Sequence, residues 1–424
     1  MQDAASSWDW QPGERAILDS VTCGKTHQWQ EEPYVASDGE RLAAIVRLED
    51  ETFSMCVNGK TWESSFEKLW KPCFSPDGRL VVIAQQDGEW TLAVDGATWE
   101  EFYAYLWHPC FSADGSVIAA AIQNDGQYGM SVDGTAWPNL FDNANEYAIS
   151  NNGQSTAAVV QTEAMSAADL AAFRRGVYTV AVNGEAWKNT FMNAWTPTFD
   201  AQGRKVATQV RLNLYEYSIA VDDAVWGQTY NCVWEPRFNP GTGEVVAPVR
   251  IAGAWGMAQD GKTIWDPVFF QCWHQQFSTD GKVLAAIVAP TFGEFTVAVN
   301  AKPWSTTFPV VTELTLSTDG KRAAALACNN NVDWQVVVDG TPWRGKYDMA
   351  WKPVFCADGT HVAAKVEKSG RHAVLMDGKA YKRDFDHAWD PVFSPDGSKV
   401  LIRAVDKGAF VRIVATLSDF SSRG

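Results

Sequence analysis

The tryptophans of this 424-residue chain recur in a fixed register. Eighteen of the 21 fall into three positions of one repeating unit. A period of about 40 residues is typical of propellers and solenoids, in which each unit is one supersecondary element that stacks on its neighbours. The first position opens the unit, usually as W-x-P, and is occupied by Trp70, Trp107, Trp195, Trp234, Trp273, Trp351 and Trp389. The second position follows a D-G or N-G turn and is occupied by Trp62, Trp99, Trp137, Trp187, Trp226, Trp265, Trp304 and Trp343. The third position lies six residues before the glycine of that turn and is occupied by Trp90, Trp255 and Trp334.

Each unit is predicted to be a four-stranded antiparallel meander. In the unit from Lys71 to Trp107, the turn Ser75–Gly78 joins two apolar stretches, and Asp95-Gly96 joins two more. Proline followed by glycine suits the first turn, and Asp-Gly is the preferred two-residue hairpin turn. The first turn recurs ten times, with its glycine at Gly39, Gly78, Gly115, Gly153, Gly203, Gly243, Gly281, Gly320, Gly359 and Gly397. We therefore predict an all-β propeller of about ten four-stranded blades.

The two ends of the chain look like halves of one unit. The tenth unit keeps its first hairpin and the apolar stretch from Phe410 to Leu417, while Arg15 to Trp29 supplies an orphan second half. Sharing one blade between the termini closes a propeller and leaves no long exposed edge. We expect one propeller domain over residues 1–424, with an insert at 161–175; two smaller propellers are the alternative.

Composition and motifs exclude several classes of protein. The net charge of −16 disfavours nucleic acid as a partner. The eight cysteines contain no C-x-x-C pair and are expected to be buried thiols, and the six histidines form no metal motif. The stretch Gly256–Thr263 fits a phosphate-binding loop in letters only, because a hairpin turn lies within it. We expect no cofactor, no metal and no enzymatic activity.

The start of the chain and its hydropathy bear on location. Residues Met1 to Gln11 lack the pattern of a signal peptide, and no apolar run reaches the roughly 20 residues of a membrane helix. We expect a cytoplasmic protein that does not insert into a membrane directly.

The repeat breaks where function is most readily added. The tryptophans that recur in every unit are expected to pack between blades. The step of 50 residues before Gly203 comes from an insert whose stretch from Met165 to Phe173 has helical spacing and is followed by two arginines. We identify Met165, Leu170, Phe173, Arg174 and Arg175 as candidate residues for docking a partner protein. The sixth unit, with Phe269, Phe270 and Trp273 crowded together, and the eighth, which lacks its opening tryptophan, also depart from the pattern.

Two family resemblances follow from these motifs. The segments Pro72–Gly78 and Pro391–Gly397 resemble the P-x-[FW]-S-P-D-G hallmark of the WD40-like, TolB-type propeller repeat. The repeat style and tryptophan density also resemble the tryptophan-rich D subunits of the Tmc transmembrane redox complex of sulfate-reducing bacteria. That resemblance implies a scaffold subunit on the cytoplasmic side, peripheral to the inner membrane, with iron–sulfur and cytochrome b subunits as partners. The alternatives are a small-ligand or carbohydrate enzyme that uses carboxylates in the channel, and a periplasmic TolB-like interaction module.

Overall fold

The chain forms ten antiparallel sheets that are the blades of a propeller, as predicted. The computed structural model describes residues 5–21, 27, 29–165, 169–330 and 332–422. Most blades follow chain order from first to fourth strand, and helix α1 (Leu170–Arg175) is inserted in the fourth. That the whole chain is a single domain remains a prediction.

The first five blades are simple meanders. Strand β1 (Gly13–Leu18) precedes them but belongs to the last blade. Their strands are, for blade 1, β2 (Tyr34–Val35), β3 (Leu42–Arg47), β4 (Phe53–Val57) and β5 (Lys60–Thr61); for blade 2, β6 (Lys68–Phe74), β7 (Leu80–Gln86), β8 (Glu89–Val94) and β9 (Ala97–Thr98); for blade 3, β10 (Tyr105–Phe111), β11 (Ile118–Asn124), β12 (Gln127–Val132) and β13 (Thr135–Ala136); for blade 4, β14 (Asn143–Ile149), β15 (Thr156–Gln161), β16 (Tyr178–Val182) and β17 (Glu185–Ala186); and for blade 5, β18 (Asn193–Phe199), β19 (Val206–Arg211), β20 (Tyr217–Val221) and β21 (Ala224–Val225).

In the remaining blades the first strand is sometimes split in two. The strands are, for blade 6, β22 (Cys232–Val233), β23 (Arg237–Phe238), β24 (Val245–Ile251), β25 (Ala254–Gln259) and β26 (Lys262–Phe269); for blade 7, β27 (Gln271–Phe277), β28 (Leu284–Thr291), β29 (Glu294–Val299) and β30 (Lys302–Pro303); for blade 8, β31 (Val310–Leu316), β32 (Ala323–Cys328), β33 (Trp334–Val338) and β34 (Thr341–Pro342); for blade 9, β35 (Met349–Ala350), β36 (Val354–Phe355), β37 (Val362–Lys368), β38 (Arg371–Met376) and β39 (Lys379–Tyr381); and for blade 10, β40 (His387–Ala388), β41 (Val392–Phe393), β42 (Lys399–Asp406) and β43 (Ala409–Thr416). A 3-10 turn (Leu417–Asp419) and β44 (Phe420–Ser421) end the chain.

The strand order gives the propeller two distinct faces. First strands lie innermost, since those of blades 4 to 8 surround one cavity on the axis. The turns between strands one and two, and between strands three and four, share what we call the lower face. The loops between strands two and three, together with the links to the next blade, form the opposite, upper face.

Aspartate or asparagine in the second turn ties the two hairpins of a blade together. Asp95 has a positive φ of 48°, and its Oδ1 accepts a hydrogen bond from the backbone N–H of Leu80 at 2.9 Å. In eight other blades the backbone N–H at the start of the second strand likewise donates to the side-chain oxygen of the turn residue, which is Asn58, Asp133, Asn183, Asp222, Asp260, Asn300, Asp339 or Asp377. These aspartate and asparagine side chains are therefore structural, and short polar side chains tolerate the left-handed backbone that the turn needs.

The N-terminus supplies the outermost strand of the last blade. Strand β1 pairs antiparallel with β43, so blade 10 combines both ends of the chain. The chain then returns to blade 9, where β44 pairs with β39. Sharing of a blade by the termini was predicted, whereas the sequence left open which strands each end contributes.

Tryptophans at the second position pack between blades, as predicted. A Cβ on Gly134 of blade 3 would lie 3.2 Å from Cγ of Trp99 in blade 2, and Gly340 meets Trp304 in the same way at 3.1 Å. Glycine thus leaves room for the indole of the preceding blade. Trp137 is 6% exposed, and its Nε1 donates to Oγ1 of Thr156 in blade 4 at 2.8 Å.

Tryptophans at the first position differ from the prediction of inter-blade packing. Most pair with the aromatic residue at the third position of their own blade, as in Trp70–Trp90, with ring centroids 5.0 Å apart, and Trp234–Trp255 at 5.3 Å. Trp107 contacts Tyr128 of its own blade at 6.2 Å and Tyr147 of the next blade at 5.8 Å. In blades 2, 3, 5 and 7 the first strand has a bulge beside the tryptophan, where Lys71, His108, Thr196 and His274 take positive φ values. Trp70 remains 58% exposed.

The sequence analysis predicts that all the cysteines are thiols, and one cysteine of the described residues differs from this prediction. Cys56 is disulfide-bonded. The other cysteines within the described ranges are free thiols, and Cys272, Cys328 and Cys356 are buried.

Candidate interaction site

The insert of blade 4 forms a helix that is shorter and later than predicted. The spacing predicts a helix from Met165 to Phe173, but α1 begins after Asp169 and ends at Arg175. The Asp169 carboxylate accepts from the N–H of Ala172 at 2.9 Å, so this residue caps the helix instead of lying within it. Gly176, with φ 89°, ends it by donating to the carbonyl oxygens of Ala172 and Phe173.

The structure places the predicted docking residues on the upper face, between β15 and β16, in different environments. Leu170 is 65% exposed and Arg174 is exposed. Arg175 is exposed but bonded to Glu163 at 2.7 Å, while Met165 and Phe173 are half-buried. Residues 166–168 of the predicted helix lie outside the described residues. Four of the five candidates therefore belong to α1, and their docking role stays a prediction.

Exposed apolar side chains concentrate in the upper half of the blades. Of thirteen exposed large hydrophobic side chains in the described ranges, only Ile264 lies in the lower half. Eight form what we call the apolar arc across blades 4 to 9: Leu170 (65% exposed), Leu214 (40%), Tyr215 (78%), Val268 (66%), Phe270 (55%), Phe292 (83%), Val332 (60%) and Met349 (42%).

Two of these side chains already contact each other. The rings of Phe270 and Phe292 lie 5.6 Å apart in an edge-to-face arrangement. Such clustering of exposed apolar residues on one face is typical of interaction surfaces. The upper-face loops of blades 1 and 2 are acidic, since they carry Glu49, Asp50, Glu51 and Asp87.

Sequence reasoning missed the apolar arc although a signal was present. Blades 2, 3, 9 and 10 connect strands two and three through a two-residue turn of a polar residue and glycine, such as Asp87-Gly88 or Asp125-Gly126. Blades 5, 7 and 8 place Tyr215, Phe292 and Val332 in that connection instead. A large apolar residue at a solvent-exposed turn position is the pattern that would have identified the surface.

Sequence reasoning also missed an aromatic residue four positions after each tryptophan of the second position. In blade 2 this is Tyr103, whose backbone pairs with that of Trp90 across the blade. The equivalents are Phe66, Phe141, Phe191, Tyr230, Phe269, Phe308 and Tyr347. These residues hold the outer end of each blade at the upper face and are structural.

The central channel contains a cavity of about 780 Å³, lined by the first strands of blades 4 to 8 and by Lys352 of blade 9. Charged side chains reach it from several blades, among them Arg237, Glu313 and Lys352. His274 lies 3.9 Å from Glu235.

A second cavity of about 470 Å³ lies between blades 2 and 3 and is walled by Trp70, Trp90, Tyr105, Trp107 and Tyr128. His108 lines it, and burial followed by the charge of Lys71 lowers its pKa.

Other candidate chemistry is not assembled by the described residues. Gly256–Thr263 runs from β25 through a turn into β26, so the phosphate-loop pattern is a hairpin. No group of three His, Cys, Asp or Glu side chains in the described ranges is arranged to hold a metal ion. Within the same ranges, no helix has the length and hydrophobicity needed to span a bilayer.

Comparisons with known proteins give only distant structural similarity. No family model and no curated protein matches the chain. Among solved structures, it is similar to a eukaryotic initiation factor (9% identity, TM-score 0.49, covering 80% of this chain and 96% of that one). It is also similar to the Dos1 propeller (10% identity, TM-score 0.38, covering 95% of this chain and 95% of that one). A third similar structure is TolB from Acinetobacter baumannii (13% identity, TM-score 0.31, covering 72% of this chain and 78% of that one). These structures include a propeller and a TolB, and the assignment of the fold rests on the ten blades themselves.

Proposed function

We propose that this protein is a non-catalytic scaffold that binds partner proteins through the upper face of the propeller. The observation that carries the proposal is the apolar arc, which concentrates exposed Tyr215, Phe270 and Phe292 on one face. Aromatic residues are enriched at the centres of protein interfaces, where their burial supplies much of the binding energy. A closed ring of blades holds such residues in fixed relative positions, so little order is lost on binding.

Substitution of the arc tests this role directly. Replacement of Leu170, Tyr215 and Phe292 by serine should abolish capture of partners from the native host, because it removes three exposed apolar side chains from one face. The matched control is Ile264→Ser, which changes an apolar residue that is 42% exposed in the lower half. Equal capture by both variants, with thermal unfolding unchanged, would refute docking through the arc.

We further propose that the partners are the iron–sulfur and cytochrome b subunits of a membrane-associated electron-transfer complex on the cytoplasmic side. The support is the resemblance of the tryptophan-rich repeat to the D subunits of Tmc complexes. The test is gentle purification of the tagged protein from solubilised membranes, with a visible spectrum of the product. Haem and iron–sulfur absorption should accompany the protein, and a colourless solitary protein would refute the assignment.

A second candidate, a periplasmic interaction module, is favoured by the disulfide at Cys56. Disulfides persist in oxidising compartments such as the periplasm and are rare in the cytosol. Alkylation of thiols at harvest, followed by mass spectrometry without reduction, distinguishes the two. Recovery of alkylated Cys56 would remove this candidate and favour the cytoplasmic one.

A further inference from the structure

The cavity of about 470 Å³ between blades 2 and 3 exposes two aromatic side chains to solvent. Trp70 is 58% exposed, although its indole packs on Trp90 with 5.0 Å between ring centroids. Tyr105 is 60% exposed, and its side chain forms no hydrogen bond or ring contact with another described residue. Lys68 and Asn193 occupy the position of Tyr105 in blades 2 and 5, so the repeat itself does not require a tyrosine there.

The other walls of the cavity are also apolar or aromatic. Trp107 packs more loosely in blade 3 than Trp70 does in blade 2, since its ring centroid lies 6.2 Å from that of Tyr128. It also contacts Tyr147 of blade 4 at 5.8 Å. Leu106 completes the wall on the side of blade 3. A ligand in this cavity therefore meets mainly aromatic and aliphatic surface.

A bulge in each first strand places a basic side chain beside an aromatic wall. Consecutive side chains of a regular strand point to opposite faces. Lys71 and His108 follow Trp70 and Trp107, and all four residues line the cavity. The φ angles of Lys71 and His108 are 56° and 54°, and this left-handed backbone breaks the alternation.

The cation of this cavity at neutral pH is Lys71. Its side chain is exposed and forms no ion pair or hydrogen bond with another described residue. Burial and the charge of Lys71 lower the pKa of His108, so that imidazole is neutral at pH 7. One unpaired ammonium group thus lies beside the exposed indole of Trp70.

We propose that the cavity binds a small aromatic carboxylate. Its ring packs on Trp70 and Tyr105, in the offset or edge-to-face arrangements that aromatic rings prefer. Its carboxylate pairs with the ammonium group of Lys71 through charge-assisted hydrogen bonds. Gln123 and Tyr128 bond each other at 3.0 Å, and in either orientation of the amide this pair keeps a donor for a polar substituent of the ring. The volume lies in the range of small-molecule sites.

The charge of the cavity favours this class over others that bind aromatic walls. A quaternary ammonium ion would be repelled by Lys71, and the ammonium group of Lys68 already lies 5.9 Å from the ring centroid of Trp90. An uncharged sugar would gain nothing from the charge of Lys71. Both classes therefore serve as contrasting probes.

The experiment uses the full chain and four aromatic carboxylates as probes, namely benzoate, phenylacetate, indole-3-acetate and 2-naphthoate. Saturation-transfer NMR detects binding, and isothermal titration calorimetry measures it. We expect at least one to bind with 1:1 stoichiometry. Its uncharged amide and the non-aromatic cyclohexylacetate should each bind at least tenfold more weakly. Failure of all four carboxylates to bind would overturn the proposal, as would tighter binding of tetramethylammonium or glucose.

Variants with matched controls locate the site. Lys71→Gln and Tyr105→Ser should each weaken binding at least tenfold, and because both side chains are exposed the fold should survive. The controls are Lys352→Gln, at the same position of blade 9, and Tyr215→Ser, which removes a tyrosine that is 78% exposed in blade 5. Unchanged affinity in either cavity variant, or an equal loss in its control, would overturn the assignment. The cavity shares no residue with the apolar arc, so this proposal and the scaffold proposal fail independently.

Discussion

Nε of Arg412 donates a hydrogen bond to the carbonyl oxygen of Asp38 at 2.8 Å, across the junction between blade 10 and blade 1. The same guanidinium donates to the carbonyl oxygen of Asp9 at 2.6 Å and lies 3.0 Å from the Glu40 carboxylate. Arg403, its cross-strand neighbour, donates to Ala36. Elsewhere in the ring, Arg79 and Arg322 reach the first turn of the next blade in a similar way. Arginines thus bridge neighbouring blades at several junctions, including the one that closes the ring.

Substitution of Arg412 by methionine should destabilise the fold by about 3 kcal/mol, because it leaves the carbonyl oxygens of Asp9 and Asp38 without their donor and removes one of the two arginines that pair with Glu40. The side chain of Arg412 is 2% exposed, so water does not replace those bonds. Guanidinium chloride unfolding followed by tryptophan fluorescence measures the change.

The chain offers a matched control for that substitution. Arg15 pairs with the same Glu40 carboxylate but is 49% exposed. Arg15→Met should cost less than about 1 kcal/mol, as is usual for surface ion pairs. Equal effects of the two substitutions would contradict a specific role for the buried guanidinium in closing the ring.

The second tryptophan position supplies another paired test. Trp137→Phe should destabilise the protein more than Trp226→Phe, although both residues pack on the next blade. Nε1 of Trp137 donates to Thr156, whose hydroxyl group in turn bonds Asn183 at 3.1 Å. Nε1 of Trp226 is buried without a hydrogen-bond partner among the described residues. Phenylalanine at position 137 removes an existing hydrogen bond, whereas phenylalanine at position 226 removes a buried N–H that has no acceptor among the described residues. We therefore expect the two losses in the free energy of unfolding to differ by about 1–2 kcal/mol.

Thermal unfolding of both variants beside the parent protein measures this difference. A larger loss for Trp226→Phe would show that the volume of the indole, and not its hydrogen bond, sets the stability at this position.

The fold could be predicted because its determinants are local and repeated. Each turn needs particular residues, such as Asp95-Gly96. Because the pattern occurs in ten copies, counting the copies predicts the number of blades. The partners of Trp99 and Trp70 are less accessible to sequence reasoning. Both recur once per unit, yet one contacts the next blade and the other its own. Periodicity reveals that a residue is required but not which surface it meets.

The candidate sites could be predicted only in part. The insert was found because it lengthens one repeat, and Leu170 is exposed on it as a docking role requires. The start of α1 was missed because Asp169 was counted within the helix, although aspartate is favoured as a cap. The central cavity is lined from four different blades by Arg237, Gln275, Glu313 and Lys352. Such a convergence arises only when the ring closes, so no local pattern shows it.

Acid should lower the stability of the folded protein by protonating the aspartates of the first turns on the lower face. Hydrogen bonds lower the pKa of Asp114, Asp280, Asp358 and Asp396 to about 2 from 3.8, with the hydroxyl or thiol two residues earlier as the largest cause. The pKa of Asp319 is also lowered to about 2, and there the hydrogen bond from the Lys321 side chain is the largest cause. Since the folded pKa lies below the unfolded one, the stabilisation is complete above pH 4 and is lost as the pH falls towards 2.

Unfolding temperatures measured between pH 6 and pH 2.5 test this behaviour. Asp114→Asn should show a smaller decrease over that interval than the parent protein, because one of the groups that take up a proton is absent. A decrease of the same size in the variant would assign the acid sensitivity to other carboxylates.

The free cysteines should react slowly in the folded protein. Burial raises the pKa of Cys73 to about 11 and that of Cys110 to about 12, and it raises the pKa of Cys272 further. The thiolate is the reactive form, so a rise of two units from 9.0 reduces its population at pH 8 by about 100-fold. Titration with a chromogenic disulfide reagent should be slow for the native protein and fast once guanidinium chloride has unfolded it. Rapid modification of Cys73 or Cys110 in the native state, identified by mass spectrometry, would contradict the inert environment and point to a redox role for that thiol.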